Sequence, residues 1–254
     1  MLNCANQPYD QVEFHKLLVQ LAGVTATSQV LDVGCGVGRT LNEAVRIARR
    51  TVGIDNNERF LGRARQSLAA ALDDGRLELA TVDLNQGPLP FAEESFDSII
   101  CQNVLECIRD KPALIAACCR ALKPGGVFLL SHHDFGGVML NSADTALTRD
   151  IVVRYADSAQ DWMDAADGEV GRKLPGLMGS ADFAEMTTET RQLVGLSFAE
   201  GTSARAYCID AAKTAVRSGL AEADVDRWLG DLDALDRRGA FYLAIPWVYV
   251  RARK

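Results

Sequence analysis

The sequence lacks the excess of basic residues that a nucleic-acid-binding surface usually carries. Its 254 residues hold 27 Lys and Arg against 34 Asp and Glu, which gives a formal net charge of −7. Proteins that bind a polyanion usually cluster their Lys and Arg, whereas the basic groups here are short, such as the tail 251–254. We therefore expect no nucleic-acid partner.

Long apolar runs and cysteine pairs are also missing. No stretch reaches the roughly 18 apolar residues of a membrane span, and the start MLNCANQPYDQVEFHK has no secretory-signal pattern. The 7 cysteines include no C-x-x-C pair, so neither a disulfide framework nor a zinc site is predicted. We expect a cytoplasmic protein that neither associates with a membrane nor binds a metal. A homodimer is possible.

Apolar runs alternate with helical patterns through the first half of the chain. This alternation predicts an α/β fold with a parallel, doubly wound sheet. The predicted strands cover 29–33, 51–55, 77–83, 96–102, 127–133, 184–198 and 240–253. Helices are predicted over 9–22, 38–50, 57–72, 103–122 with a break at Pro112, 140–168 as one or two helices, 171–182, and 204–236 as two helices. We expect one domain over 1–254, with an N-terminal helix region 1–28, a core 29–134, and helical insertions at 135–182 and 199–238.

A glycine-rich loop follows the first predicted strand, in the segment VLDVGCGVGRTL (30–41). Gly34, Gly36 and Gly38 let the backbone turn tightly and approach a ligand closely. A dinucleotide fingerprint, G-x-G-x-x-G, would need glycine where Arg39 stands. Asp32 beside the loop would repel a pyrophosphate but suits a sulfonium or an ammonium group. The loop therefore disfavours a nicotinamide dehydrogenase.

Two further acids end the next predicted strands. Asp55 lies at the position, about 20 residues after a glycine loop, where an acidic residue usually accepts ribose hydroxyls. Asp83 ends the third strand, where its carboxylate can accept a hydrogen bond from an adenine amino group. Three strand-end acids beside one glycine loop favour a nucleoside ligand that carries a positive charge.

The motifs VLDVGCGVGRT, VGID, TVDLNQGPLPFAEESFDSIICQNVLECIRD and LKPGGVFLLS closely resemble the successive motifs of class I S-adenosylmethionine-dependent methyltransferases. Within that family they are most similar to the ubiquinone/menaquinone-type and natural-product small-molecule branch. The resemblance covers residues 29–133. It implies a Rossmann-like, seven-stranded, mostly parallel sheet with helices on both faces and an antiparallel last strand. It also implies S-adenosylmethionine as cofactor, S-adenosylhomocysteine as product, and a small-molecule acceptor methylated on oxygen, nitrogen or carbon.

The same resemblance implies where the cofactor contacts lie. The first-motif glycines would border its methionine portion, Asp55 its ribose, and Asp83 with Leu84 the adenine edge. Tyr9 and His15 are candidates to close over the cofactor from the N-terminal helix. The predicted cofactor-binding residues are Asp32, Gly34, Cys35, Gly36, Gly38, Asp55, Asn56, Asp83, Leu84, Asn103 and Tyr9.

Strand five ends in His132, His133 and Asp134, which are the candidates for acceptor chemistry. Neighbours in a strand face opposite ways, so one histidine of the pair is expected to face the cleft. An unperturbed imidazole titrates near pH 6.5 and can take a proton from an acceptor. We predict that His133 is this base; capping of the strand is the alternative role.

The insertions offer candidates for acceptor binding. Apolar pocket candidates are Trp162, Met163, Met178, Phe183, Met186 and Trp228, and candidates to hold a substrate carboxylate are Arg154, Arg172 and Arg205. Two alternatives to a small-molecule methyltransferase remain: an enzyme acting on tRNA or rRNA, and a non-catalytic scaffold that keeps the fold. The acidic balance disfavours the first, and the intact glycines and acids disfavour the second.

Overall fold

The computed structural model describes residues 11–159 and 166–254. Eight strands are present in that part of the chain: β1 (Gln29–Val33), β2 (Arg50–Asp55), β3 (Leu77–Thr81), β4 (Phe96–Gln102), β5 (Leu122–His133), β6 (Met139–Leu140), β7 (Glu185–Gly195) and β8 (Leu243–Arg253). The α-helices there are α1 (Gln11–Leu21), α2 (Arg39–Ala44), α3 (Glu58–Ser67), α4 (Ala69–Asp73), α5 (Lys111–Ala121), α6 (Thr145–Asp157), α7 (Val170–Met178), α8 (Ser203–Arg217) and α9 (Glu222–Arg237).

The strands form one sheet in the order β3-β2-β1-β4-β5-β8-β6, with β7 paired to β8. The pairs β1–β2, β1–β4, β2–β3 and β4–β5 are parallel, and β6 pairs antiparallel with β8. The predicted Rossmann-like sheet is confirmed. The eighth strand is β6, whose two residues are too few for an alternating pattern to reveal it.

The described chain forms two compact units. The first, here the glycine-loop unit, comprises 11–132, Lys173–Glu189 and Tyr249–Lys254. The second, here the insertion unit, comprises 133–159, 166–172 and Thr190–Val248. The predicted insertions fall largely in the insertion unit, except that 173–182 belongs to the glycine-loop unit. The prediction of a single domain over 1–254 stays a prediction.

In the glycine-loop unit, the central strands β1 and β4 are mostly buried because their runs are largely apolar, whereas β3 is partly exposed. Leu31, Ile99 and Phe128, one each from β1, β4 and β5, are fully buried. The helix predicted over 38–50 is shorter, because the backbone N–H groups of Arg49 and Arg50 donate to the Ser28 carbonyl and lead the chain into β2. These two hydrogen bonds therefore fix where β2 begins.

The predicted break at Pro112 is instead the start of a helix. Pro112 lies in the first turn of α5, where the Asp110 side chain accepts the Ala113 N–H at 3.0 Å. Proline is well tolerated there, because the missing N–H has no partner within the helix. The residues just before it, 105–107, form only a short 3-10 turn.

The insertion unit has its own core, to which α6, α8 and α9 contribute. Trp228 on α9 is buried, and its indole N–H donates to the Thr148 hydroxyl of α6 at 2.9 Å. Side chains cap two of these helices: Asp144 accepts the Leu147 N–H of α6, and Thr202 accepts the Arg205 N–H of α8. In the described ranges, no helix is both long and apolar enough to cross a membrane.

Candidate functional site

The carboxyl ends of the first four strands meet at one edge of the sheet. The parallel register pairs Val33 with Ile54 and with Cys101, and Asp55 with Thr81. Ligands of open α/β sheets bind outside this edge. Asp83 lies two residues beyond the end of β3, because Thr81 is the last strand residue. The predicted acids are nonetheless all brought to the same edge.

The glycine loop uses backbone conformations that favour glycine. Gly34, Gly36 and Gly38 have φ angles of 68°, 53° and 82°, in the left-handed region. A Cβ atom at Gly34 would clash with the Val104 side chain, whereas one at Gly36 would meet nothing within 4 Å. Gly34 is therefore required for packing, while Gly36 faces open space that a ligand can occupy.

Asp55 ties the end of β2 to the glycine loop. Its Oδ2 accepts the Gly36 N–H at 2.8 Å, and its Oδ1 accepts the Asn57 N–H at 2.8 Å. Each carboxylate oxygen can accept a second hydrogen bond, so the ribose role predicted for Asp55 is compatible with both contacts. Asn57 in turn caps α3, and the predicted site residue Asn56 is exposed.

Asp32 is a buried acid without a complete set of partners. It is 3% exposed, and its Oδ2 has no hydrogen-bond partner within 11–159 and 166–254. Burial, and secondarily the charge of Asp55, raises the pKa of the Asp32 carboxyl to about 8. A buried carboxyl of this kind is stabilised in its charged form by a nearby cation. Asp32 therefore fits a ligand with a sulfonium or an ammonium group.

The side chain of Cys35 lies in the core, and its predicted cofactor contact stays a prediction. Its side chain is buried in a core cluster with Leu41 and Leu61, and burial raises the pKa of the thiol well above its usual value. The thiol therefore stays protonated. Only the backbone of Cys35 remains available for a ligand contact.

The loop after β3 is fixed by side-chain hydrogen bonds. Asp83 Oδ1 accepts the Asn85 N–H at 2.9 Å, while Asn85 donates to the Cys107 carbonyl and accepts the Arg109 N–H. Asp83 and Leu84 line a cavity of about 410 Å³ together with Arg109. Both predicted adenine-edge residues are thus held in place beside a cavity.

Asn103 directly follows β4 in an uncommon conformation. Its φ angle is 58°, and its N–H donates to the Ser131 carbonyl of β5 at 2.9 Å. Asn is one of the few non-glycine residues that tolerate this region, and such residues often cluster at functional sites. The conformation is compatible with the backbone role predicted for Asn103.

The N-terminal helix places one of its two candidates beside the loop. His15 Nδ1 lies 2.9 Å from the Thr40 hydroxyl, and His15 borders a cavity of about 390 Å³ with Gly38 and Arg39. Burial, and then the charge of Arg39, lowers the pKa of His15 to about 4. His15 is therefore a neutral side chain near pH 7. Tyr9 lies outside the described residues, so its role stays a prediction.

The two histidines at the end of β5 differ in exposure. His132 is 0% exposed, whereas His133 is half-buried. The His133 ring lies 5.5 Å from the Phe135 ring in the insertion unit. This difference follows the alternation of side chains along a strand and favours His133 over His132 as the group that meets an acceptor. Its catalytic role stays a prediction.

Asp134 has a different environment from that expected of a catalytic acid. Arg172 donates to it from Nε at 2.8 Å, from Nη2 at 2.5 Å and from its backbone N–H at 2.9 Å. Both carboxylate oxygens are therefore engaged in holding the start of α7. We assign Asp134 a structural role and do not retain it among the catalytic candidates.

The arginines predicted to hold a substrate carboxylate already pair with acids of this chain. Arg172 pairs with Asp134 and Glu169. The other two pairs are Arg154 with Asp150 and Arg205 with Asp233. The prediction that these arginines bind a substrate carboxylate therefore finds no support in their contacts.

The predicted pocket residues mostly serve the core. Met178 and Trp228 are buried, and the Phe183 ring packs 6.1 Å from that of Phe128. Met186 is 44% exposed. Trp162 and Met163 lie outside the described residues. Over the described ranges, no group of three or more His, Cys, Asp and Glu side chains is arranged to hold a metal ion.

The residues that hold the site's loops in place through hydrogen bonds and packing were not identified from the sequence. Asn57 precedes a helix pattern, so its capping role had a readable signal. Asn85 and Val104 had none, because their contacts join segments that are distant in sequence. These residues fix the loops that carry Asp55, Asp83 and Gly34.

The stretch that carries the glycine loop and the three acids is similar to a known protein family. Residues 31–130 match the family described as "Methyltransferase domain". This stretch of the chain is similar to a methyltransferase domain. The matched range begins in β1 and ends within β5, so it includes the glycine loop and all three acids. The family resemblance predicted from the sequence motifs is thereby confirmed.

Curated relatives are similar to part of this chain. A demethylmenaquinone methyltransferase of Tropheryma whipplei is 31% identical over 136 residues, which are 50% of this chain and 54% of the relative. A ubiquinone biosynthesis O-methyltransferase of Xanthomonas euvesicatoria is 33% identical over 124 residues, 48% of each chain. The chain thus spans about half the length of the curated relatives it matches.

A solved structure shares the fold over nearly the whole chain. It is a Haemonchus contortus phosphoethanolamine N-methyltransferase 2 in complex with S-adenosyl-L-methionine, with a TM-score of 0.59 and 16% identity. The match covers 99% of this chain and 54% of that one. At this identity the likeness shows the fold alone.

Proposed function

We propose that this chain is an S-adenosylmethionine-dependent methyltransferase whose acceptor is a small molecule of quinone-like or natural-product type. The observation that carries the proposal is the glycine loop, held by Asp55, beside the buried and incompletely paired carboxyl of Asp32. This cofactor fits both the open space at Gly36 and the Asp32 carboxylate, which a nearby cation would stabilise. The names of the two curated relatives support a quinone-like acceptor.

Each cofactor-facing residue has a distinct task in this proposal. Asp55 accepts hydrogen bonds from the ribose hydroxyls while it keeps the loop in place. Asp32 faces the positively charged methionine portion, and the backbone of Gly34, Cys35 and Gly36 borders that portion. The remaining contacts are made by Gly38, Asn56, Asp83, Leu84 and Asn103, with Tyr9 as a further candidate.

When bound, the cofactor supplies an electrophilic methyl group on a sulfonium. The protein then has to hold the acceptor atom in line with that group and exclude water. An oxygen or nitrogen acceptor that loses a proton during methylation needs a base. His133 takes that proton at its imidazole ring. His132, which is fully buried, is the weaker candidate.

The decisive experiment uses S-adenosylmethionine with a radiolabelled methyl group. The purified chain is incubated with catechol, with 1,4-dihydroxynaphthalene, or with total tRNA and rRNA, and label is counted in the organic and acid-precipitable fractions. We expect label in the organic fraction only. Label confined to RNA would favour the nucleic-acid alternative, and no transfer to any acceptor despite cofactor binding would favour the scaffold alternative.

Calorimetry tests the cofactor directly. We expect micromolar binding of S-adenosylmethionine and S-adenosylhomocysteine and no binding of a nicotinamide dinucleotide. The opposite pattern would refute the proposal. A cytoplasmic location and a homodimer stay predictions from the sequence.

A further inference from the structure

Four aromatic rings cluster in the insertion unit. His133 ends β5, Phe135 follows it, Tyr155 lies on α6 and Tyr207 on α8. The ring centroids are 5.5 Å apart for His133–Phe135, 6.1 Å for Phe135–Tyr207 and 5.1 Å for Tyr155–Tyr207. The Phe135 and Tyr207 rings are stacked at 15°, and Tyr155 packs edge-on against both. We call these four residues the ring cluster.

The hydroxyl of Tyr207 is the polar group of this cluster that lacks a protein partner. Tyr207 is 7% exposed, and its hydroxyl makes no hydrogen bond to any residue in 11–159 or 166–254. Buried polar groups are nearly always hydrogen-bonded, so each exception needs an explanation. In the same core, the buried indole N–H of Trp228 does have a partner, Thr148. An unsatisfied polar group is therefore not a general property of this core.

The surroundings determine what the hydroxyl can bind. Burial, with smaller contributions from Tyr155 and Cys208, raises the pKa of Tyr207 well above its usual value. The hydroxyl therefore remains protonated and can donate a hydrogen bond to an oxygen. His133 and Tyr155 are only half-buried, so the ring cluster reaches the surface through them. Aromatic faces attract planar, apolar rings in stacked or edge-on contact.

We propose that Tyr207 is an acceptor-binding residue, whose hydroxyl donates a hydrogen bond to a carbonyl or phenolic oxygen of a planar aromatic acceptor packed against the ring cluster. This inference rests on the proposed function and adds a residue that would recognise the acceptor's oxygen. The ring cluster includes His133, the proposed base, with Phe135 in ring contact with both His133 and Tyr207. The hydroxyl of Tyr207 then determines which ring compounds are accepted.

The test compares two probes and two tyrosine variants. The probes are 1-naphthol and naphthalene, which share a ring system and differ by one hydroxyl group. The variants are Tyr207→Phe and the matched control Tyr242→Phe, which changes a tyrosine that is 38% exposed and outside the ring cluster. Binding is measured by fluorescence with S-adenosylhomocysteine at saturation.

We expect Tyr207→Phe to weaken 1-naphthol binding about tenfold, because one hydrogen bond is lost (about 1.4 kcal/mol). Naphthalene binding should change less than about twofold, and Tyr242→Phe should leave both affinities unchanged. The unliganded Tyr207→Phe protein should unfold at the same temperature as the wild type or higher, because no hydrogen bond within the protein is removed.

Three results would overturn the inference. Equal 1-naphthol affinity in the wild type and Tyr207→Phe would exclude the hydrogen bond. A lower melting temperature of unliganded Tyr207→Phe would show that the hydroxyl is structural. Failure of the wild type to bind 1-naphthol would exclude the acceptor class. The proposed function is read separately from label transfer, so its failure can be distinguished from each of these.

Discussion

Replacing Asp55 by alanine removes both an internal support and a proposed cofactor contact. In the unliganded protein its two oxygens accept the Gly36 and Asn57 N–H groups, each at 2.8 Å. When the cofactor is bound, the same oxygens are proposed to accept the ribose hydroxyls. Asp55→Ala should therefore lower both the stability of the protein and its cofactor affinity, and the two effects need to be separated.

The expected magnitudes follow from the contacts. Hydrogen bonds to a charged group contribute about 1.5–3 kcal/mol each, but Asp55 is half-exposed, and water can replace part of this. We expect the free energy of unfolding to fall by about 1–3 kcal/mol. Loss of the ribose contact should cost a further 1.5–3 kcal/mol of binding, roughly. Because 1.4 kcal/mol is tenfold, the dissociation constant should rise more than tenfold.

Asn57→Ala is the matched control. It removes the α3 cap, which accepts the Arg59 and Phe60 N–H groups and contributes about 1 kcal/mol, but it keeps the backbone N–H that Asp55 accepts. Calorimetry with S-adenosylhomocysteine and urea unfolding are measured for both variants. Unchanged affinity in folded Asp55→Ala, or an equal loss in Asn57→Ala, would refute the ribose assignment.

Three further predictions concern the loop, the buried acid and the histidines. Gly36→Val should abolish cofactor binding in a folded protein. The control Gly75→Val strains a similar positive φ, also with open space around it, and should leave cofactor binding intact. Retained affinity in Gly36→Val would mean that the loop does not touch the ligand. Burial raises the pKa of Asp32 from its ordinary value of 3.8 to about 8 in the folded protein. The folded state therefore binds more protons than the unfolded state between these values, and stability falls as pH rises towards 8. Asp32→Asn should flatten this slope between pH 6.5 and 8 in urea titrations, and an unaltered slope would contradict the assignment. His133→Ala should lower turnover at least 100-fold and leave cofactor affinity unchanged. His132→Ala should lower turnover less. If both variants melt at a lower temperature but keep their specific activity, the two histidines are structural.

The strands and the glycine loop were predictable because their signals are local. The bounds of β1 and β4 agree with apolar runs that end at glycine or a polar residue, and β2 differs by one residue. Asp32 and Asp55 lie in their predicted strands, whereas Asp83 lies two residues beyond the end of β3; all three are at the same sheet edge because parallel strands align their carboxyl ends. The sequence pattern therefore carried most of the candidate cofactor site.

The acceptor side was less predictable because its contacts join distant segments. Nothing near Asp134 indicates that Arg172 would engage both of its oxygens. Tyr155 and Tyr207 lie on separate helices and share no periodic pattern, so their ring contact could not be read from sequence. The two-residue strand β6 was missed because no alternation exists over so short a span.

The packing of Val104 against Gly34 joins two positions that lie in separate sequence motifs. A Cβ at Gly34 would also lie 3.1 Å from the second Val104 methyl group, so the two positions share one small volume. Among homologous chains we expect a residue larger than glycine at 34 only where 104 is small, and such a residue would still carry the strain of the positive φ at 34. A substitution that is tolerated in one lineage should therefore be harmful in another, and engineering of either loop alone should fail more often than paired changes.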